Sequence, residues 1–384
     1  MGDYFGLLKE NRFQIHPARY PMAGLVGMSS VINSSLAAVQ RLAFGKKIAA
    51  AKLHGPPVFI VGHWRSGTTL MHELISLDSR FNFPSNFEAF IPTHFLVSRP
   101  AFYPLIHMLL PRRRPMDNMS MSASSPQEDD FALIGYGVPT PYRRIAFANR
   151  TNRDHLELNF DNASPVVERQ LHDAMETFLK SLTLRYQSRL VMKSPPHTGR
   201  VSQLAKWFPD AKFIHLSRHP YKLVPSTMRL WKLLDILQSF QVPKYDDTWL
   251  KNYIFECKDL MYESYFEHRS EIPANRLAEV RFEDLVADPI QQLGKAYEQL
   301  ELGGFENVKP NVLNYFEQKK SHKKNEHQLD EKLKLEVDSN WQEYMSEFGY
   351  ESQSRGIVGD LLQPNFKKRM PYTTSNVFGC HCAQ

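Results

Sequence analysis

Cysteine is scarce: the 384-residue chain carries three, Cys257, Cys380 and Cys382. An odd number with two in the tail supplies no disulfide framework, so a reducing compartment is expected. Cys380-His381-Cys382 lacks a second ligand pair at zinc-like spacing, and no metal is expected. Met1 to Tyr20 is charged throughout and has no apolar h-region, which excludes a secretory leader from the reading and leaves cytoplasmic placement as the expectation. No stretch reads as long enough to span a bilayer. The longest apolar run, Ala101 to Leu110, is interrupted by Pro104 and His107 and reads as a buried or partly exposed helix, with peripheral membrane contact left open. Gly6 stands where a myristoylation signal needs Ser or Thr, and Cys382 is one residue out of register for prenylation. The formal charge of +6 suits an anionic ligand but falls short of the basic stripe of a nucleic-acid binder, so no nucleic-acid partner is expected.

What is present is a large globular composition, 42% hydrophobic and 12% aromatic. Small and apolar residues from Met22 to Ala51 recur at mixed helical spacing and predict one or two packing helices. Pro57 to Gly62 reads as a strand buried on both faces. The turn Gly62 to Gly67 then opens a helix from Thr68 to about Leu77. Arg189 to Met192, Lys212 to Leu216 and Leu277 to Phe282 have the same strand character, each followed by a helical pattern. Repeated βα units predict an α/β protein, a P-loop-like three-layer fold with a central parallel sheet flanked by helices. The expected organisation is an N-terminal helical segment, 1–56, packed on a domain at 57–350, followed by a tail at 351–384. A segment at about 81–184, holding a helix from about Asp161 to Tyr186, is read as an insertion covering the site.

Two constellations carry chemistry. Gly62-His63-Trp64-Arg65-Ser66-Gly67-Thr68-Thr69 has the Gly-x-x-x-x-Gly spacing of a phosphate loop, with Thr68 where a nucleotide triphosphatase needs its Lys. Such a loop still offers backbone N–H groups and a helix N-terminus to an anion, and Arg65 can offset charge on a bridging oxygen without a metal. Arg218 ends a strand, where ligands of open α/β sheets bind, and Ser226 follows eight residues later on the next helix. Two rivals remain at this point: a nucleotide-dependent kinase or triphosphatase on the same loop, and a non-catalytic nucleotide- or glycan-binding protein.

Arg65-Ser-Gly-Thr-Thr followed by Arg218 and Ser226 resembles the sulfotransferases that use 3′-phosphoadenosine 5′-phosphosulfate (PAPS). The likeness is closest to their bacterial-type branch, where Gly-His-Trp-Arg-Ser-Gly-Thr-Thr, Arg114-Pro-Met-Asp-Asn-Met, Pro126-Gln-Glu-Asp and Lys193-Ser-Pro-Pro-His also recur. It covers about Pro57 to Tyr350. The resemblance implies transfer of a sulfuryl group from PAPS to the hydroxyl of a carbohydrate, lipid or other alcohol. Arg65, Ser66, Gly67, Thr68 and Thr69 would hold the 5′-phosphosulfate, Arg218 and Ser226 the 3′-phosphate, and Lys323 and Lys324 a loop over that phosphate. Arg65 and Lys193 would be the catalytic cations. Glu88, about twenty residues past the loop, is the first choice for the base, with His94, Glu128 and His197 as alternatives. Two departures stand out: Leu70 replaces the Trp of cytosolic relatives, and Phe282-Glu283-Asp284 replaces their Tyr-Glu-Asp.

Overall fold

The structure is a computed structural model that describes residues 2–111, 121–149, 154–160, 163–319 and 330–352. Its centre is a sheet of five short parallel strands, β1 (Val58–Val61), β2 (Phe81–Asn82), β3 (Arg189–Lys193), β4 (Lys212–Ser217) and β5 (Leu277–Arg281), in the order β2-β3-β1-β4-β5. Four of these lie where the apolar runs predict. The fifth, β2, is two residues long and carries no pattern of its own; pairing with Arg189 and Leu190 of β3 makes it a strand. The segment assigned to an insertion from residue 81 therefore begins inside the sheet.

Helices surround the sheet in chain order: α1 (Gly2–Glu10), α2 (Tyr20–Ala50), α3 (Thr68–Ile75), α4 (Asn86–Phe90), α5 (Phe95–Leu109), α6 (Asp129–Gly135) and α7 (Pro165–Tyr186). After these come α8 (Val201–Trp207), α9 (Pro220–Gln238), α10 (Asp247–His268), α11 (Phe282–Ala287), α12 (Pro289–Gln299) and α13 (Phe305–Lys319). Strand side chains alternate between faces, which divides the core in two. Phe59, Val61, Leu190, Met192 and Phe213 pack with α7, α8, α9 and α10. Val58, Ile60, Val191, Ile214 and Leu216 pack with α3, α12 and α13. Both faces are thus covered, which is why the strands read as unbroken apolar runs and why the three-layer α/β arrangement follows.

One expectation about the N-terminal region needs correction, that no stretch is long enough to span a bilayer. The residues from Met22 onward form one continuous helix, α2, and the span Pro17–Ala50 is long and apolar enough, by length and composition, to cross a membrane. Counting unbroken apolar runs misses this because Ser, Gly and Asn interrupt the runs without ending the helix. The helix is nevertheless fastened to the domain along its length. Tyr4 donates to the Ala23 carbonyl (2.6 Å), Asn33 Oδ1 meets His94 Nε2 (3.0 Å), Gln40 Oε1 accepts from Leu96 N (2.8 Å) and Lys180 donates to the Ala49 carbonyl (3.3 Å). The apolar stretch around 101–110 is the second half of α5, which stays helical through Pro100 and Pro104.

Candidate active site

Four strand ends, those of β1, β3, β4 and β5, bring the site together at the carboxyl edge of the sheet. After β1 the loop 62–67 turns tightly into α3. Gly62 has φ +133° and faces the Leu216 backbone oxygen so closely that a Cβ would lie 2.3 Å from it. Gly67 has φ +108°, and a Cβ there would lie 2.3 Å from the Phe282 ring. Arg65 itself sits at φ +68°, a left-handed conformation that costs a non-glycine residue about 1–3 kcal/mol. The Arg65 carbonyl accepts from Arg218 Nη1 (2.9 Å), and its Nε donates to Ser226 Oγ (3.0 Å). Two motifs far apart in the chain thus meet, and the strain on Arg65 is supported by the contact.

The cradle fits an anion. Ser66 Oγ and Arg218 Nε are buried polar atoms with no partner of their own, and the loop's backbone turns into the N-terminus of α3. Burial pushes the Arg218 guanidinium below its ordinary value, Glu283 offsets this, and the neighbouring Arg65 charge pushes the same way as burial. A bound anion relieves such crowding of positive charge. Phe282 lies beneath the loop, its ring 4.6 Å from the Arg218 guanidinium carbon.

A second group of side chains converges after β3. The consecutive acids Glu128, Asp129 and Asp130 face the segment Lys193 to Arg200 and pair there with Lys193, His197 and Arg200 respectively, while Ser194 Oγ accepts from Asp130 N at 2.9 Å. Glu128 Oε1 meets Lys193 Nζ at 2.7 Å, Asp129 Oδ2 meets His197 Nε2 at 2.5 Å, and Asp130 Oδ1 meets Arg200 Nη1 at 2.7 Å. Both inner pairs are fully buried; Glu128 alone retains some exposure. Burial raises the Asp129 carboxyl, but the facing His197 reverses this and leaves it below the usual range. Asp130 stays raised by burial despite Arg200. The other oxygen of Glu128 accepts from Tyr142, whose hydroxyl accepts from Trp64 Nε1 (2.8 Å). Burial first, and Glu128 second, hold the Tyr142 hydroxyl protonated. A chain of contacts thus links the phosphate loop, through Trp64, to Glu128 and Lys193.

Glu88 sits elsewhere. It is fully buried as the third residue of α4, where it completes a capping box with Ser85: Ser85 N donates to Oε2 at 3.1 Å. Its Oε1 holds Arg99 at 2.7 Å and Arg185 at 3.5 Å. His94 bridges Ser98 (2.9 Å) and Asn33, and burial lowers it to about 4. Lys323, Lys324 and the tail from 353 onward lie outside the described residues, as does the motif that begins at Arg114. Tyr142 and the two inner ion pairs went unnoticed in the sequence. The signal was there in the run Glu128-Asp129-Asp130 set against Lys193, His197 and Arg200.

Comparison with known proteins bears on this arrangement directly. The model of the sulfotransferase family matches residues 56–307. The chain is 36% identical, over 345 residues, to the omega-hydroxy-beta-dihydromenaquinone-9 sulfotransferase Stf3 of Mycobacterium bovis, covering 90% of this chain and 88% of that one. The Mycobacterium tuberculosis protein of the same name matches to the same degree. Among solved structures, the sulfotransferase STF9 of Mycobacterium avium superposes with a TM-score of 0.60 at 19% identity, over 82% of each chain. STF1 of Mycobacterium tuberculosis gives 0.58 at 15%, over 76% of this chain and 80% of that one. At those identities the structures speak for the fold, which they share. The kinase and non-catalytic readings of the loop find no support among these relatives. The family match spans more than half of the chain, and the chain belongs to the sulfotransferase family, with sulfuryl transfer to an acceptor hydroxyl as its chemistry.

Proposed function

We propose that PAPS is the sulfuryl donor and that Glu128, rather than Glu88, takes the acceptor proton. The observation that carries the donor assignment is the meeting of Arg65, Arg218 and Ser226, with the unpartnered Ser66 Oγ and Arg218 Nε beside it. Ser66 to Thr69 offer backbone and hydroxyl donors to a 5′-phosphosulfate, and Arg218 with Ser226 offers charge and a hydroxyl to a 3′-phosphate. For the base, Glu128 has one oxygen on Lys193 and the other on Tyr142 beside the loop, whereas Glu88 spends its carboxylate on a helix cap and two arginines. In the transfer the acceptor oxygen bonds to sulfur as the sulfur–oxygen bond to the 5′-phosphate breaks. The acceptor proton goes to Glu128, and the electron pair leaves on the phosphate oxygen, opposite the charges of Arg65 and Lys193.

For the acceptor we favour a hydroxyl on an apolar molecule. The support is the mycobacterial relative, named for a hydroxylated menaquinone, and the exposed Phe90, Leu105, Met108 and Leu109 on α4 and α5. Cytoplasmic placement stays part of this reading, on the cysteine usage of the chain.

Isothermal titration with 3′-phosphoadenosine 5′-phosphate, set against ATP with Mg²⁺, tests the donor. Wild type should bind the bisphosphate and Arg218→Ala should lose it at least tenfold; binding of ATP alone would sink the proposal. For the base, Glu128→Gln should lower kcat by on the order of 10²–10⁴ with bisphosphate binding intact. Glu88→Gln should leave kcat within about threefold of wild type; a reversed pair of results returns the role to Glu88.

A further inference from the structure

Helix α2 is mounted inside out for a protein in water. Its polar side chains Asn33 and Gln40 point into the protein, where they bond His94 and Leu96. Its outer side carries Leu25, Met28, Ile32, Val39 and Leu42 at alternating spacings of three, four and seven, which line up on one helical stripe. All are exposed, Met28 by 60% and Leu42 by 87%. On the same helix Ser34 and Ser35 turn their hydroxyls back onto the carbonyls of Ser30 and Val31. A hydroxyl whose proton is given to the helix backbone costs less to take out of water than one left without a partner. An apolar stripe of this length is more than scattered surface hydrophobes explain.

Charge identifies what covers the stripe. Between Glu10 and Glu73 the sequence has no acidic residue, while Arg12, Arg19, Arg41, Lys46, Lys47 and Lys52 fall in the interval. Arg41, Lys46 and Lys47 lie on the C-terminal part of α2 itself, and all three are exposed. The neighbouring α5, also free of acids, ends in the exposed Leu105, Met108 and Leu109. On α2 itself the stripe is accompanied by cations alone, the acids Asp3, Glu10 and Glu176 belonging to the neighbouring α1 and α7, and a stripe so charged is complementary to an anionic lipid surface. Although the apolar window of α2 is only 6% buried, four hydrogen bonds tie the helix to the domain near both ends and at its middle, which favours lying on a bilayer over crossing it. We infer that α2 is a monotopic docking helix that lies in the surface of an anionic phospholipid bilayer with Leu25, Met28, Ile32, Val39 and Leu42 among the acyl chains. This docking does not depend on which donor or acceptor the enzyme uses.

Co-sedimentation of the full chain with phosphatidylcholine vesicles, with and without phosphatidylglycerol, tests it. Wild type should bind the phosphatidylglycerol vesicles. The variant Leu25→Gln/Met28→Gln/Ile32→Gln/Val39→Gln/Leu42→Gln should lose binding at least tenfold while keeping its melting temperature and its affinity for 3′-phosphoadenosine 5′-phosphate. Arg41→Gln/Lys46→Gln/Lys47→Gln should weaken binding to the anionic vesicles by on the order of a hundredfold. Three results would overturn the inference: no binding of wild type to either vesicle, undiminished binding of the five-site variant, or a dimer in sedimentation velocity that the five substitutions dissolve without any vesicle binding. The last would give the stripe to a second copy of the chain. Failure of bisphosphate binding in wild type would strike the donor assignment and leave the vesicle result standing.

Discussion

At the scale of single residues, the loop after β1 works because two glycines sit where side chains have no room, but the obstruction differs. At Gly67 a Cβ meets the edge of a side chain, Phe282; at Gly62 it meets the backbone oxygen of Leu216. Both also occupy positive φ, which L-residues adopt with strain. Gly67→Ala should therefore cost about 2–4 kcal/mol in urea unfolding and recover part of that loss when combined with Phe282→Ala. Gly62→Ala should cost as much and recover nothing, because a strand backbone does not step aside. Equal rescue of the two variants would refute the distinction. Both glycines were readable in the sequence from loop spacing alone. The surroundings of Glu128 were not: its partner Lys193 lies sixty-five residues away, whereas residue 88 is singled out by distance along the chain from the loop.

Elements hold these residues by pairing that no local pattern announces. The strands β1, β3, β4 and β5 were legible because burial on both faces demands continuous apolar runs, and α3 and α7 because their apolar residues recur at helical spacing; the start of α3 is set by Gly67 without a side-chain cap, and α7 starts at Pro165 after Ser164 rather than near Asp161. Strand β2 was not, since Phe81–Asn82 is a strand only through β3. The facing of α2 was equally hidden, because a helix with apolar residues on most sides does not declare which side meets the domain. The start of α6 is fixed by the ion pairs of Asp129 and Asp130 to the turn after β3. Breaking a fully buried pair on one side strands the other charge, so Asp130→Ala should cost about 3–5 kcal/mol by denaturant unfolding. Asp130→Ala/Arg200→Met should cost markedly less than the single change. A single change worth under about 1 kcal/mol would show that the pair does not anchor α6.

For the whole molecule, the buried histidines should make mild acid destabilising. Burial lowers His63 to about 4, His72 to about 3 and His215 to about 3, with Lys258, Lys193 and Arg269 respectively pushing the same way. Unfolded, each returns to an ordinary value near 6.5. The unfolded chain therefore binds more protons, and the stabilisation is fully present above pH ~6.5 and lost as pH falls toward the folded values. By pH 5 the loss amounts to about 2 kcal/mol per histidine. Urea midpoints measured from pH 8 to pH 5 should fall with acid, and His215→Phe should flatten the curve. Its ring is stacked on Tyr265 and Phe348, centroids 4.5 and 4.8 Å away, so a phenyl ring keeps the stack and removes the titration. A pH-independent midpoint would contradict the burial of these rings.

The three acids before and within α6 differ in one respect with a longer reach. Glu128 pairs with Lys193 and keeps some exposure, whereas Asp129 and Asp130 are riveted into the core on its C-terminal side. The pairs of Asp129 and Asp130 hold position 128 from its C-terminal side, independently of the contacts that fix residues 122–127 against α4. A change in the loop ahead of 122 can therefore be absorbed without shifting Glu128. An insertion or deletion between 128 and 130 has no such freedom, since shifting the register by one residue breaks both rivets at once.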